Sequence, residues 1–332
     1  MIPGACWTGQ APAKVNLFLR VLAREESGYH QLETLFQALE LSDEVTLEWF
    51  RLPTSLASGS PDPPGIELEV EGVPAEALGP PEANLAVRAA RLYFEALPGV
   101  RDTLARLRIH LHKRIPHGAG LGGGSSDAAT VLRGLNELLG NPLDAGTLAT
   151  LGARLGADVA FFLCGSPLAL AWGRGDRLLP LPPLPRAPVV LLLPARRIAT
   201  PEAYGVLARS RADVDRPAPP ARVFAPDSAP WFDWNTVARE AENDFEVALA
   251  PAYPELVHLR RVLEEAGARP ALLSGSGSAV FGVFPDGSEP PTSWHPDRFP
   301  GSPTPEAALT VIRTATRSRP DPGQGGEGGA RG

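Results

Sequence analysis

Pro116-His-Gly-Ala-Gly-Leu-Gly-Gly-Gly-Ser-Ser-Asp127 is the most informative stretch of the chain. It follows a strand pattern at Leu107, Ile109 and Leu111. After it, Ala128, Val131, Leu132, Leu135, Leu138 and Leu139 form a helical stripe that Gly140-Asn141-Pro142 ends. Glycines let successive main-chain N–H groups turn toward one point with no side chain in the way. A helix beginning near Ser125 adds its unpaired N-terminal donors and the positive end of its dipole. Ser125 and Ser126 offer hydroxyls to a phosphate oxygen or a metal ion. The stretch therefore reads as a loop for a polyphosphate, with a plain glycine-rich turn as the alternative.

Two other glycine-loop chemistries fit less well. Gly118, Gly120 and Gly123 satisfy G-x-G-x-x-G. The acidic residue that a dinucleotide site places about 20 residues on, after a second strand, falls here on Glu137 inside the helix. A Walker-type loop requires Lys after its last glycine, where Gly124 stands.

The rest of the composition narrows the setting. A chain of 332 residues with 43% hydrophobic content can bury a sizeable core, and a net charge of −7 argues against general nucleic-acid or membrane-surface binding. Cys6 and Cys164 are the only cysteines and have no metal-ligand spacing. No leader-like or membrane-spanning run is visible, so a soluble cytoplasmic protein is expected. Of 31 basic residues only Lys14 and Lys113 are lysines, a compositional hint that a compact ammonium is wanted there, with chance survival of either lysine as the alternative.

Around the loop the chain alternates strand and helix patterns. Ala13–Val21 places Val15, Leu17, Leu19 and Val21 on one face and Lys14, Asn16, Phe18 and Arg20 on the other. Strands are also expected at Asp43–Trp49, Ile66–Val70, Leu168–Trp172, Val189–Leu193 and Ala308–Thr316. A strand–loop–strand is expected at Ala271–Phe284 around Ser274–Ser278. Helices are expected from Asn84 to Leu97, from Asp144 to Leu155, and at Asn243–Leu249 and Glu255–Glu265. Arg51–Gly65 and Arg211–Trp231 read as Pro-rich irregular insertions, Pro285–Pro305 as flexible, and Arg319–Gly332 as disordered.

Three segments, in order, resemble the motifs of the GHMP kinases, the superfamily of galactokinase, homoserine kinase, mevalonate kinase and phosphomevalonate kinase. They are Ala11-Pro-Ala-Lys-Val-Asn-Leu-Phe-Leu19, Pro116–Ala128 and Leu273-Ser-Gly-Ser-Gly-Ser-Ala-Val-Phe281. Further segments are similar to the branch of that superfamily whose substrate bears a cytidine diphosphate group. These are Gly28-Tyr29-His30 with Glu33-Thr34-Leu35-Phe36, Leu155-Gly-Ala-Asp-Val159, and Thr200-Pro201 with Tyr204. The resemblance implies an α+β, two-domain GHMP kinase fold. An N-terminal ribosomal-protein-S5-like α/β domain of left-handed βαβ character would be followed by a smaller C-terminal α/β domain, with both substrates in the cleft between. The division expected is residues 1–165, with the ATP-phosphate loop, then 166–316, with 317–332 as a tail.

The roles implied follow the motifs. ATP would be held by Pro116, Gly118, Gly120, Leu121, Gly122, Gly123, Gly124, Ser125 and Ser126, with Mg²⁺ expected to accompany it and its protein ligands unassigned. Asp158 would take the proton of the substrate hydroxyl, and Lys14 would orient Asp158 and offset charge on the phosphoryl oxygens. Tyr29 and Tyr204 would sandwich cytosine while His30 reads its edge. Asn16, Thr200, Pro201, Gly275, Ser276 and Gly277 would line the remainder of the substrate site. His112, Lys113 and Arg114 either attract ATP or face water as a charged strand end. Residues alone leave open a different small alcohol as substrate, a non-catalytic nucleotide-binding protein, and a nicotinamide enzyme.

Overall fold

The computed structural model describes residues 2–24, 30–51, 65–74, 78–97, 104–212, 233–285, 287–292, 294 and 309–319. By contacts, the chain forms two compact units. One comprises Met1–Lys14 and Glu40–Cys164; the other comprises Val15–Leu39 and Gly165–Gly332. The long strands β1 (Ile2–Arg24) and β2 (His30–Arg51) pair with each other, and each gives residues to both units. Residues 15–39 thus group with the C-terminal part of the chain rather than with the N-terminal part.

In the first unit, β3 (Gly65–Glu71) and β4 (Leu104–His112) pair in parallel, joined through helix α1 (Leu85–Ala96). The second half of β2 pairs antiparallel with β4, Leu47 standing opposite Ile109. Alternation decides the faces: Leu107, Ile109 and Leu111 are buried, while Arg108 pairs with Glu48 and Glu67 on the outer face. Helices α2 (Gly123–Leu138) and α3 (Ala145–Leu155) pack with α1, and α4 (Ala157–Leu163) packs with α2 and α3. Gly134 lets α2 press close to the strands, because a Cβ there would stand 2.5 Å from Trp7 Cε3 and 2.7 Å from Leu47 Cδ1.

In the second unit, the first half of β2 pairs with β5 (Leu168–Gly173), which pairs with β6 (Arg177–Pro180). A second antiparallel sheet runs β10 (Thr310–Ala315), β7 (Pro188–Leu193), β9 (Val280–Val283), β8 (Ala271–Leu273). Helices α5 (Thr200–Ala212), α6 (Trp234–Glu240), α7 (Asp244–Leu249) and α8 (Pro254–Glu265) belong to the same unit. Its core joins Leu19 and Val21 of β1 to Val190, Leu192, Phe245, Leu249, Leu259, Leu263 and Leu273.

Several elements differ from the sequence pattern. The helix after the phosphate loop begins at Gly123, two residues before Ser125. Helix α5 was not marked by periodicity because it is short of apolar residues on any one face; Ala203 and Leu207 alone are fully buried. From Ala11 to Val21, strand β1 is buried on both faces rather than one. Lys14, Asn16, Phe18 and Arg20 are covered as fully as Val15 and Leu17, so each polar group there needs a partner. Among the described residues, no helix is long and apolar enough to cross a membrane. Tyr29, residues 52–64, most of the Pro-rich stretch after Arg211, and the tail from 320 lie outside the described residues. Arg317 is held by a main-chain hydrogen bond to Ala38.

Candidate active site

The phosphate loop is shaped by three glycines in the left-handed region: Gly118 (φ 66°), Gly120 (φ 79°) and Gly122 (φ 72°). Gly122 caps α2, whose first turn is Gly123, Gly124, Ser125 and Ser126, so the free N–H groups of a sixteen-residue helix open onto the loop. Gly124 is exposed and Ser125 half-buried, while Ser126 is fully buried. The Ser126 hydroxyl has no hydrogen-bond partner among the described residues.

Strand β1 holds this loop directly. The Lys14 N–H donates to the Leu121 carbonyl at 2.9 Å. The Lys14 side chain then runs beside Gly122, where an added Cβ would be 2.9 Å from Lys14 Cγ and 3.3 Å from Phe162 Cε2. Its ammonium ends 3.4 Å from Asp158 Oδ2. Lys14 is 5% exposed at its side chain and Asp158 32%, so the carboxylate faces solvent and the ammonium backs it from inside. Asp158 sits in the first turn of α4, where a carboxylate is favoured by the helix dipole. The pair therefore places a reachable acceptor of protons and a fixed positive charge beside the glycine-rich loop and the open N-terminus of α2.

The second lysine does not face water. Lys113 is buried, not a charged strand end, and donates to Asp127 Oδ2 at 2.5 Å and to Asp43 Oδ2. The other oxygen of Asp43 accepts the N–H groups of Arg114 at 2.5 Å and Ile115 at 2.8 Å. Burial works against the Lys113 charge, but the carboxylates of Asp127 and Asp43 outweigh it and raise its pKa. Burial pushes the Asp127 carboxyl up to about 7, Lys113 opposing and Asp43 reinforcing the shift. Asp43 and Asp127 escaped sequence reasoning, since nothing in their local pattern sets them apart from surface carboxylates.

In the second unit, Asn16 is buried and its amide donates to Thr34 Oγ1 at 2.7 Å, which donates to the Phe18 carbonyl at 2.6 Å. His30 and Tyr204 stack with ring centroids 4.7 Å apart, and Phe245 meets Tyr204 edge-on at 5.0 Å. Thr200 and Pro201 open α5, and Thr200 Oγ1 lies 3.1 Å from Ser276 Oγ. The turn bearing Ser276 has Gly275 and Gly277 in the left-handed region. Asn243, which the sequence reading passed over, anchors that turn: its amide donates to the carbonyls of Leu273 and Gly275, both at 2.8 Å. His30, Thr200, Pro201, Tyr204, Ser276 and Asn16 thus all belong to this unit, while Lys14, Asp158 and the phosphate loop belong to the first.

Residues 84–166 match the model of the GHMP kinases N terminal domain, and residues 231–292 that of the GHMP kinases C terminal domain. A protein of Solibacter usitatus, named 4-diphosphocytidyl-2-C-methyl-D-erythritol kinase, is 41% identical over 278 residues, which is 83% of this chain and 81% of that one. Another of the same name, from Citrifermentans bemidjiense, is 41% identical over 82% of this chain and 88% of its own. A crystal structure of 4-(cytidine 5'-diphospho)-2C-methyl-D-erythritol kinase superposes with a TM-score of 0.60 at 39% identity, covering 83% of this chain and 90% of that one. A homoserine kinase from Cytophaga hutchinsonii, at 18% identity and TM-score 0.60 over 95% and 96% of the two chains, shares the fold. Since both domain models match in order and such similarity runs through four fifths of the chain, the protein belongs to the GHMP kinases, in their 4-diphosphocytidyl-2-C-methyl-D-erythritol kinase family.

Proposed function

We propose that the protein transfers the γ-phosphoryl group of ATP to the 2-hydroxyl of 4-diphosphocytidyl-2-C-methyl-D-erythritol, a step toward isoprenoid precursors by the non-mevalonate route. The observation that carries the chemistry is the buried Lys14 ammonium, 3.4 Å from a partly exposed Asp158, on the strand bonded to the phosphate loop. In this reading Asp158 accepts the hydroxyl proton as the substrate oxygen bonds to the γ-phosphorus. The bond to the β-bridging oxygen breaks and ADP leaves. Lys14 orients Asp158 and offsets negative charge on the transferred oxygens, while the N–H groups of the loop and of α2 hold the phosphates. Phosphoryl transfer asks chiefly for such positioning and charge stabilisation.

Mg²⁺ accompanying ATP would neutralise phosphate charge during transfer. Among the described residues no group of three or more His, Cys, Asp or Glu gathers for a metal, and Lys113 already engages Asp43 and Asp127. The unpartnered Ser126 hydroxyl and that of Ser125 are oxygen donors of the hard kind Mg²⁺ takes. The residues therefore suit an ion carried in by the nucleotide.

Substrate selection falls to the second unit. His30 and Tyr204 supply a flat surface and a hydrogen-bonding edge for cytosine, Thr200 and Pro201 a wall, and Asn16 and the Gly275–Gly277 turn polar contacts for the methylerythritol portion. ADP release from ATP, measured with 4-diphosphocytidyl-2-C-methyl-D-erythritol beside homoserine and mevalonate, tests the reading. Turnover is expected with the cytidylyl substrate alone, and Asp158→Asn should lower kcat by about 10²–10⁴-fold. Equal turnover of homoserine or mevalonate, or an unimpaired variant, would refute the substrate or the role of Asp158 respectively.

A further inference from the structure

Thr200, Tyr204, Leu207 and Arg211 follow the spacing that puts side chains on one face of a helix, so Arg211 continues the face of α5 that carries Tyr204. One end of that face meets α7 through the ring of Tyr204, edge-on to Phe245. The other end meets it through Arg211, whose Nη2 donates to Asp244 Oδ2 at 2.7 Å. Both charged groups also close on β1. Asp244 Oδ2 accepts the Val21 N–H at 2.7 Å, and Arg211 Nη1 donates to the Val21 carbonyl at 2.6 Å. Val21 is buried, and its N–H lies on the same strand edge as that of Leu19, which donates to the Glu242 carbonyl at 2.8 Å. A buried main-chain donor and acceptor both need partners, and here side chains from two helices supply them.

The composition of α5 explains why such a clamp matters. Among its described residues only Ala203 and Leu207 are fully buried, so apolar packing holds its rotation and its axial position weakly. A guanidinium shared between a carboxylate and a carbonyl has a fixed direction. Asp244 is itself fixed, as the first residue of α7 after Asn243, whose amide holds the carbonyls of Leu273 and Gly275. Strand β1 with Asn16, helix α5 with Thr200 and Tyr204, and the turn with Ser276 are thereby set against two consecutive residues, Asn243 and Asp244.

We propose that Arg211 and Asp244 are positioning residues for the cytidylyl substrate. They set the rotation of α5, and with it the place of Tyr204 and Thr200, and act through the helix rather than through a contact with substrate. The inference rests on the reading that this unit selects the cytidylyl substrate. Arg211 lies about 10 Å along the helix axis from Tyr204. An effect of charge at a distance would have a different sign pattern. The substrate is anionic, so its field would make Arg211 favour binding and Asp244 oppose it. A shared positioning role makes both favour it.

The test is steady-state kinetics of the wild-type chain, Arg211→Ala, Asp244→Ala and the double variant, with 4-diphosphocytidyl-2-C-methyl-D-erythritol and ATP varied in turn. Each single variant should raise the KM for the cytidylyl substrate about 3–30-fold, the scale of a charge-assisted bond partly open to solvent. The kcat and the KM for ATP should stay within about twofold of wild type, the signature of lost uniform binding, whereas loss of folded enzyme lowers kcat at unchanged KM. The double variant should match the worse single variant within about twofold, since the two side chains act on one residue of β1. Asp244→Asn, which keeps an oxygen for the Val21 N–H and for Arg211, should recover most of the wild-type KM. A lower KM in Asp244→Ala would show an effect of charge and overturn the proposal. So would an unchanged KM in Arg211→Ala, or a rise in the KM for ATP as large as that for the cytidylyl substrate. Arg211→Ala alters a side chain that is 38% exposed, so it carries the test should Asp244→Ala not fold. Asp244→Asn then supplies the sign: a KM at or above the wild-type value supports positioning, and a lower one overturns it. A wild-type chain without turnover of the cytidylyl substrate would overturn the kinase reading itself, an outcome distinct from turnover with KM unchanged in the variants.

Discussion

Gly122→Ala probes the coupling between the glycine-rich loop and Lys14, the lysine to which we assign a part in the transfer. Gly122 holds φ at 72°, which costs an L residue about 1–2 kcal/mol. Its new Cβ would stand 2.9 Å from Lys14 Cγ and 3.1 Å from Lys14 Cε, with Phe162 Cε2 3.3 Å away. Ordinary carbon contacts begin near 3.5 Å, so the lysine stem has to withdraw by about half an ångström or more. Withdrawal carries the ammonium away from Asp158, which it now approaches to 3.4 Å. Displacements of that order at a reacting centre cost about 10–100-fold in rate. The expected result is therefore a kcat reduced about 10–100-fold, with Tm lowered by about 2–8 °C from the backbone cost. Gly140→Ala is the control, because Gly140 also has positive φ (80°) but nothing within 4 Å of its added Cβ. It should lose similar stability and keep kcat. Steady-state kinetics at saturating ATP and thermal melts of both variants provide the assay. A Gly122→Ala enzyme that melts early yet turns over within about twofold of wild type would refute the claim that loop and lysine are sterically coupled.

Two further outcomes follow from the geometry. Asn243→Ala strands the buried carbonyls of Leu273 and Gly275 and removes the acceptor for the Phe245 N–H, and should cost about 2–4 kcal/mol in urea unfolding while raising KM for the cytidylyl substrate more than it lowers kcat. Stability should fall as pH rises from about 4 to about 7, because the native Asp127 keeps a proton that the unfolded chain has already released. Urea midpoints at pH 5 and pH 8 should therefore differ less in Asp127→Asn than in the wild type, and an unchanged difference would mean that Asp127 does not titrate in that window.

Much of the site could be read from local pattern, because local pattern is what shapes it. A run of glycines between a strand and a helix is needed for N–H groups to converge, and the left-handed values at Gly118, Gly120 and Gly122 meet that need. The alternation of β1 set Lys14 and Asn16 on one face, and the scarcity of lysine singled out both buried ammonium groups. Helix α5 was missed because packing, not an apolar stripe, holds it.

What only the tertiary structure decided is the partner of each buried charge. Lys14 finds Asp158, and Lys113 finds Asp43 and Asp127, across separations of up to 144 positions that no spacing rule connects. Asn243 likewise reaches the Ser276 turn from some thirty positions away. Composition and periodicity determined which side chains are chemically capable and where most strands and helices lie, but not that β1 is buried on both faces around Lys14. Burial then made each charge dependent on a counter-charge or donor, and the register of the strands and the docking of the helices chose which one.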